Sequence, residues 1–142
     1  MKKRITALGL LWCLSAVMLQ AARVDTVLVR SAAMNKDVKV VYVLPDKAIG
    51  KQACPVVYLL HGYGGNARSW VQLKPELPQM ADEKGIIFVC PDGKNSWYWD
   101  SPENPAYRYE TFVTSELVKY TDGNYATIPD RKARAISGLS MG

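Results

Sequence analysis

An α/β fold is what this sequence predicts: a mostly parallel sheet with helices on both faces. Three observations predict it. Val56-Val57-Tyr58-Leu59-Leu60 and Ile86-Ile87-Phe88-Val89-Cys90 are continuous apolar runs, the pattern of strands covered on both sides. Segments with helical spacing separate these runs from each other and from a last short one, Arg134 to Ser137. Each run ends in a glycine-bearing segment: His61-Gly62, Pro91-Asp92-Gly93, and Gly138-Leu139-Ser140-Met141-Gly142. In open sheets of this class the chemistry lies at the carboxyl ends of the strands.

The order of elements supports the same architecture. Lys2, Lys3 and Arg4 precede an apolar stretch from Ile5 to Leu19, and Ala21-Ala22 follows. That is the plan of a signal peptide over residues 1–22. The stretch is short against the roughly 20 residues of a membrane span, so cleavage and export to the periplasm or beyond are expected, without stable membrane association afterwards. Residues 23–142 are then expected to form part of one domain. Val24 to Val29 and Asp37 to Leu44 alternate valine with polar residues and read as an antiparallel hairpin with one wet face. Pro45 to Gln52 reads as a loop. Ser69 to Leu73 reads as a helical turn, and Pro78 to Lys84 as a helix with Gly85 just past its end. Arg108 to Tyr120 reads as a longer helix with Tyr109, Phe112, Val113, Leu117 and Tyr120 on one face. Thr121-Asp122-Gly123-Asn124 should stop it.

Composition narrows the function classes. Of the 142 residues 49% are hydrophobic and 22% charged, a globular balance. Without Lys2, Lys3 and Arg4 the net charge falls from +5 to +2, so the basic character belongs to the targeting segment and nucleic acid is not an expected partner. One histidine and two separated cysteines beyond the signal region cannot make a metal site, and no cofactor is expected. Cys54 precedes one buried strand and Cys90 ends the next. If those strands are parallel neighbours, about 16 Å separates the two residues. A disulfide needs α-carbons within about 7 Å, so both are expected as free, buried thiols.

Gly138-Leu139-Ser140-Met141-Gly142 is G-x-S-x-G directly after a strand, the pattern of a nucleophile elbow. Such a turn presents a serine oxygen on a strained backbone, and only glycines fit the close approach beside it. His61, the one histidine, sits far ahead of Ser140 in an HG-x-G-G loop. A base in this kind of fold follows the nucleophile in the chain, so His61 reads as ordering its loop together with Gly62. Trp97, Tyr98 and Trp99 either stack on a sugar ring or aromatic acyl group or pack a long loop. Glu116 falls within the apolar stripe of its helix, where a structural ion pair is expected. Asp92 and Asp100 read as loop braces.

Taken together, the chain resembles the esterase D family of α/β hydrolases, which includes S-formylglutathione hydrolases, feruloyl and acetyl esterases, and the antigen 85 mycolyltransferases. The matching segments are Tyr58 to Gly65, Val89 to Gly93, Ser96 to Asp100, Tyr109 to Leu117, and Ile136 to Gly142. The resemblance implies the N-terminal part of an α/β-hydrolase fold, with the catalytic acid and histidine beyond residue 142 and the last strand left as an open edge. It implies Ser140 as nucleophile and the backbone N–H groups of Met141 and Tyr63 as oxyanion donors. The implied activity is hydrolysis of a carboxylic ester, with acyl or feruloyl groups on carbohydrate as the candidate substrates, through an acyl-enzyme that this chain alone would complete poorly. The alternatives are acyl transfer to a sugar and a non-catalytic carbohydrate-binding protein.

Overall fold

The computed structural model describes residues 22–142. The expected signal segment lies outside the described residues except for Ala22. Among the described residues no helix is long and apolar enough to cross a membrane.

Five strands form one mixed sheet. They are β1 (Arg23–Ser31), β2 (Lys36–Leu44), β3 (Val56–Leu60), β4 (Ile87–Pro91) and β5 (Arg134–Gly138), in the spatial order β1-β2-β4-β3-β5. The hairpin β1–β2 is antiparallel, β2 joins β4 antiparallel, and β4, β3 and β5 run parallel. The expected pairing of hairpin and parallel centre is what forms. Lys36 is half-buried and Asp37 and Lys39 are exposed, while Val38 and Val40 between them are buried, so the start of β2 is wet on one side.

Alternation along the strands feeds two separate cores. Val40, Tyr42, Val56, Tyr58, Leu60, Ile87 and Val89 face one side and pack against Tyr109, Phe112, Val113 and Leu117. Val41, Val43, Leu59, Phe88 and Cys90 face the other and pack against Ala67, Leu77 and Ala81. The helices arise where the sequence allows. α1 is a single turn, Asp46–Ile49, inside the stretch expected as loop. α2 (Ser69–Leu73) and α3 (Leu77–Lys84) cross from β3 to β4, and Gly85 ends α3 at φ 64°, in the left-handed region where glycine carries no penalty.

The connection from β4 to β5 uses α4 (Tyr109–Thr111), a π-helical stretch (Phe112–Glu116) and α5 (Leu117–Asn124). α5 runs through the segment expected to stop it. Thr121 is fully buried and its hydroxyl meets the Tyr42 hydroxyl at 2.8 Å, so packing overrides the local breakers. Glu116 is half-buried and has hydrogen-bond donors in place of the expected cation: the Ser31 hydroxyl at 2.6 Å and the Ala33 N–H at 2.8 Å. The chains leaving β3 and β4 pack on opposite faces of the sheet, and in open α/β sheets that arrangement puts sites at the carboxyl ends of the strands. Among the described residues β1 and β5 are the two edges of this sheet, and Ile136 on β5 is 58% exposed. Cys54 and Cys90 are free and buried at opposite ends of the β3–β4 pair, as the strand geometry requires.

Candidate active site

The end of β5 turns sharply. Gly138 is registered beside Leu60 of β3, and the Leu139 N–H donates to the Leu60 carbonyl at 3.2 Å. Gly142 N–H closes the turn on the Leu139 carbonyl at 3.0 Å. Between them Ser140 sits at φ 55°, a left-handed conformation that a residue with a β-carbon adopts only under constraint. Its residue is solvent-exposed, while Met141 is buried beneath the turn. The flanking glycines are sterically required. A β-carbon on Gly138 would lie 2.2 Å from the Gly142 carbonyl carbon, and one on Gly142 would lie 2.7 Å from the Leu60 carbonyl oxygen.

The loop after β3 lies against this turn. A β-carbon on Gly62 would stand 3.3 Å from the Leu139 carbonyl oxygen and 3.6 Å from Ser140 Cβ, so glycine lets the loop approach the serine. His61 is 1% exposed and both ring nitrogens are engaged. Nδ1–H donates to the Gly62 carbonyl at 2.7 Å, and Nε2 accepts the Gly93 N–H at 2.9 Å. Those partners assign the neutral tautomer with its proton on Nδ1. Gly65 leaves room for the ring, since a β-carbon there would meet Nδ1 at 2.9 Å. Tyr63 is 67% exposed. Among the described residues, neither the Tyr63 nor the Met141 N–H donates to a protein acceptor.

The loop after β4 forms the third wall. Asp92 accepts the Lys94 N–H and the Lys94 ammonium, each at 2.9 Å, and its carboxylate lies 3.6 Å from His61 Nε2. Burial opposes charge on Asp92, but these neighbours outweigh it and hold the carboxyl well below its usual value. With Nε2 already accepting from Gly93, His61 has no proton to offer Asp92, so we assign the effect to Lys94. Asp100 accepts from the Thr111 N–H at 3.0 Å and from its hydroxyl at 2.5 Å, which braces the start of the helix. Its carboxyl also sits below its usual value: burial raises it, and the Thr111 bonds lower it further than that.

The three aromatic residues part company. Trp97 and Trp99 are 62% and 51% exposed. Tyr98 is half-buried, and its hydroxyl accepts the His61 N–H at 3.0 Å. Burial pushes its phenol above the usual value, so the hydroxyl stays neutral at physiological pH. The sequence reading also missed Asn95, whose Oδ1 accepts the Gly64 N–H at 2.8 Å, and Trp70, whose Nε1–H reaches the Leu60 carbonyl at 3.0 Å. Both contacts cross between segments, and no local pattern signals them. Among the described residues no group of three or more His, Cys, Asp or Glu side chains is placed to hold a metal ion.

A mixed sheet with helices on both faces, and a serine on a strained turn at a strand's carboxyl end, is the plan of an α/β hydrolase. A sequence model of the family described as Putative esterase matches residues 31–142, and the chain belongs to that family. An acetyl esterase from Caldicellulosiruptor saccharolyticus is 28% identical over 120 residues, covering 79% of this chain and 44% of that protein. An endo-1,4-beta-xylanase/feruloyl esterase from Xylanibacter ruminicola is 37% identical over 102 residues, covering 66% of this chain and 14% of that protein. Among solved structures, an S-formylglutathione hydrolase from Agrobacterium tumefaciens superposes with a TM-score of 0.74 at 27% identity, covering 85% of this chain and 50% of that one. The chain thus spans half or less of the length of these relatives.

Proposed function

We propose that this chain carries the nucleophile and the oxyanion hole of an exported serine esterase acting on carboxylic esters. The observation that carries the reading is Ser140 at φ 55° on the end of β5, with the Gly62 loop packed against it. Ser140 Oγ attacks the ester carbonyl and its proton passes to a general base. The carbonyl oxygen becomes an oxyanion between the N–H groups of Met141 and Tyr63, both without an acceptor among the described residues. Collapse expels the alcohol, which takes up the proton, and leaves an acyl-enzyme that water hydrolyses by the same steps. Removing one such donor typically slows turnover by about a hundred- to a thousandfold.

His61 does not supply the base in this reading. It is the chain's one histidine, and acting as base would break its bond with either Gly62 or Gly93. A histidine base would therefore come from outside the described residues. Similarity to an acetyl esterase and to a xylanase/feruloyl esterase, with the exposed rings of Trp97 and Trp99, favours acyl or feruloyl groups on carbohydrate as substrate.

The test uses the protein made from the whole reading frame that contains this chain, assayed on p-nitrophenyl acetate and methyl ferulate. Ser140→Ala should lower turnover at least about a thousandfold, as loss of a serine nucleophile does. Undiminished hydrolysis in that variant would refute the assignment. The 142-residue chain alone should turn over slowly, and fast hydrolysis abolished by His61→Ala would instead make His61 the base.

A further inference from the structure

Tyr63 stands between two residues that the facing loop holds by their backbone. The His61 N–H donates to the Tyr98 hydroxyl at 3.0 Å, and the Gly64 N–H donates to Asn95 Oδ1 at 2.8 Å. A third bond returns the other way, from the Gly93 N–H to His61 Nε2 at 2.9 Å. Among the described residues the Tyr63 N–H makes no such bond, and its side chain is 67% exposed. The residue whose N–H has no such partner is thus fixed on both sides by side chains 37 and 31 positions along the chain from the amides they hold.

The facing loop is shaped for this. Lys94, Trp97 and Tyr98 all take positive φ, at 50°, 57° and 52°, which side chains avoid unless their surroundings impose it. The two consecutive left-handed residues send Trp97 outward and Tyr98 inward. The Tyr98 ring then lies on the bare backbone of Gly93, where a β-carbon would come within 2.3 Å of it. The same ring meets His61 edge-on, with centroids 5.7 Å apart. Packing alone would need the ring and not its hydroxyl. The hydroxyl and the Asn95 amide have a different consequence, because each fixes one neighbour of the Tyr63 N–H.

We infer that Tyr98 and Asn95 are positioning residues for the oxyanion hole, holding the Tyr63 N–H through His61 and Gly64. The inference rests on the reading of Ser140 as nucleophile. An oxyanion donor must lie about 2.7–3.1 Å from the oxygen it stabilises. A misplacement of about 1 Å can cost on the order of a hundredfold in rate. Because the donor matters most once charge has developed, the loss should fall on kcat and leave KM nearly unchanged.

The test again uses the protein from the whole reading frame. Tyr98→Phe keeps the ring and removes the acceptor, and Asn95→Ala removes the other. Each should lower kcat by roughly tenfold or more, with KM for p-nitrophenyl acetate within about twofold. Affinity for a trifluoromethyl ketone, which forms a tetrahedral adduct, should fall by the same factor as kcat/KM. Asn95→Asp retains an acceptor oxygen and should recover most of the loss. Amide hydrogen exchange at His61 should quicken in Tyr98→Phe, and at Gly64 in Asn95→Ala. Unchanged kcat despite faster exchange would overturn the inference, as would a rise in KM alone, which would make these side chains substrate contacts. Unchanged exchange would overturn it as well. Exchange is readable without catalysis, so a protein in which Ser140→Ala stays active but these amides loosen would refute the nucleophile and not the tether.

Discussion

Ser140 reaches solvent because its backbone is held where few side chains go, and the cause is the two glycines beside it. G-x-S-x-G encodes a close approach that only hydrogen side chains permit, so the turn was legible from residue types alone. The partners of His61 were not. Its loop-ordering reading came from its place in the chain, but the Gly62 carbonyl, the Gly93 N–H and the Tyr98 hydroxyl meet it only after the strands align. Asp92 carries a pH consequence at this scale. Its folded carboxyl lies below the ordinary 3.8, so its contribution to stability is present above about pH 4 and is lost as pH falls through the folded value. Asp92→Asn should therefore lose less stability than the wild type between pH 7 and pH 3, measured by urea denaturation. Parallel losses in the two proteins would contradict the assignment.

The connection from β4 to β5 shows how an element departs from its local signals. Its apolar spacing gave the helix and the buried face correctly. The π-helical stretch at Phe112–Glu116 and the extension to Asn124 were illegible, because both answer to neighbours distant in sequence. Glu116, on the π-helical stretch, accepts from Ser31 at the end of β1, 85 positions away, and from Ala33 in the turn that follows. Thr121 continues the helix because its hydroxyl has a buried partner in Tyr42. Glu116→Ala should leave the Ser31 hydroxyl and the Ala33 N–H without their acceptor and destabilise the fold by about 1–3 kcal/mol. Thermal denaturation reads this directly, and an unchanged midpoint would show that water replaces the carboxylate at no cost.

At the scale of the molecule, the sheet order decides what can meet. Cys54 and Cys90 belong to neighbouring parallel strands and lie at opposite ends of them, so topology keeps the thiols apart. Burial pushes Cys90 up to about 12 and raises Cys54 as well, so neither is a ready nucleophile. Iodoacetamide at pH 8 should leave both unmodified until denaturant is added, and rapid labelling of the folded protein would show that the core opens. The sequence by itself determined the strands, the two-faced sheet, the elbow and the family, because periodicity, apolar runs and glycine spacing are local properties of the chain. Only the tertiary structure decided that Tyr98 turns inward while its tryptophan neighbours stay out, and that Asn95 and Tyr98 bracket Tyr63. Those contacts join residues 31 and 37 positions apart, and their partners are chosen by strand order and register, which no single segment encodes.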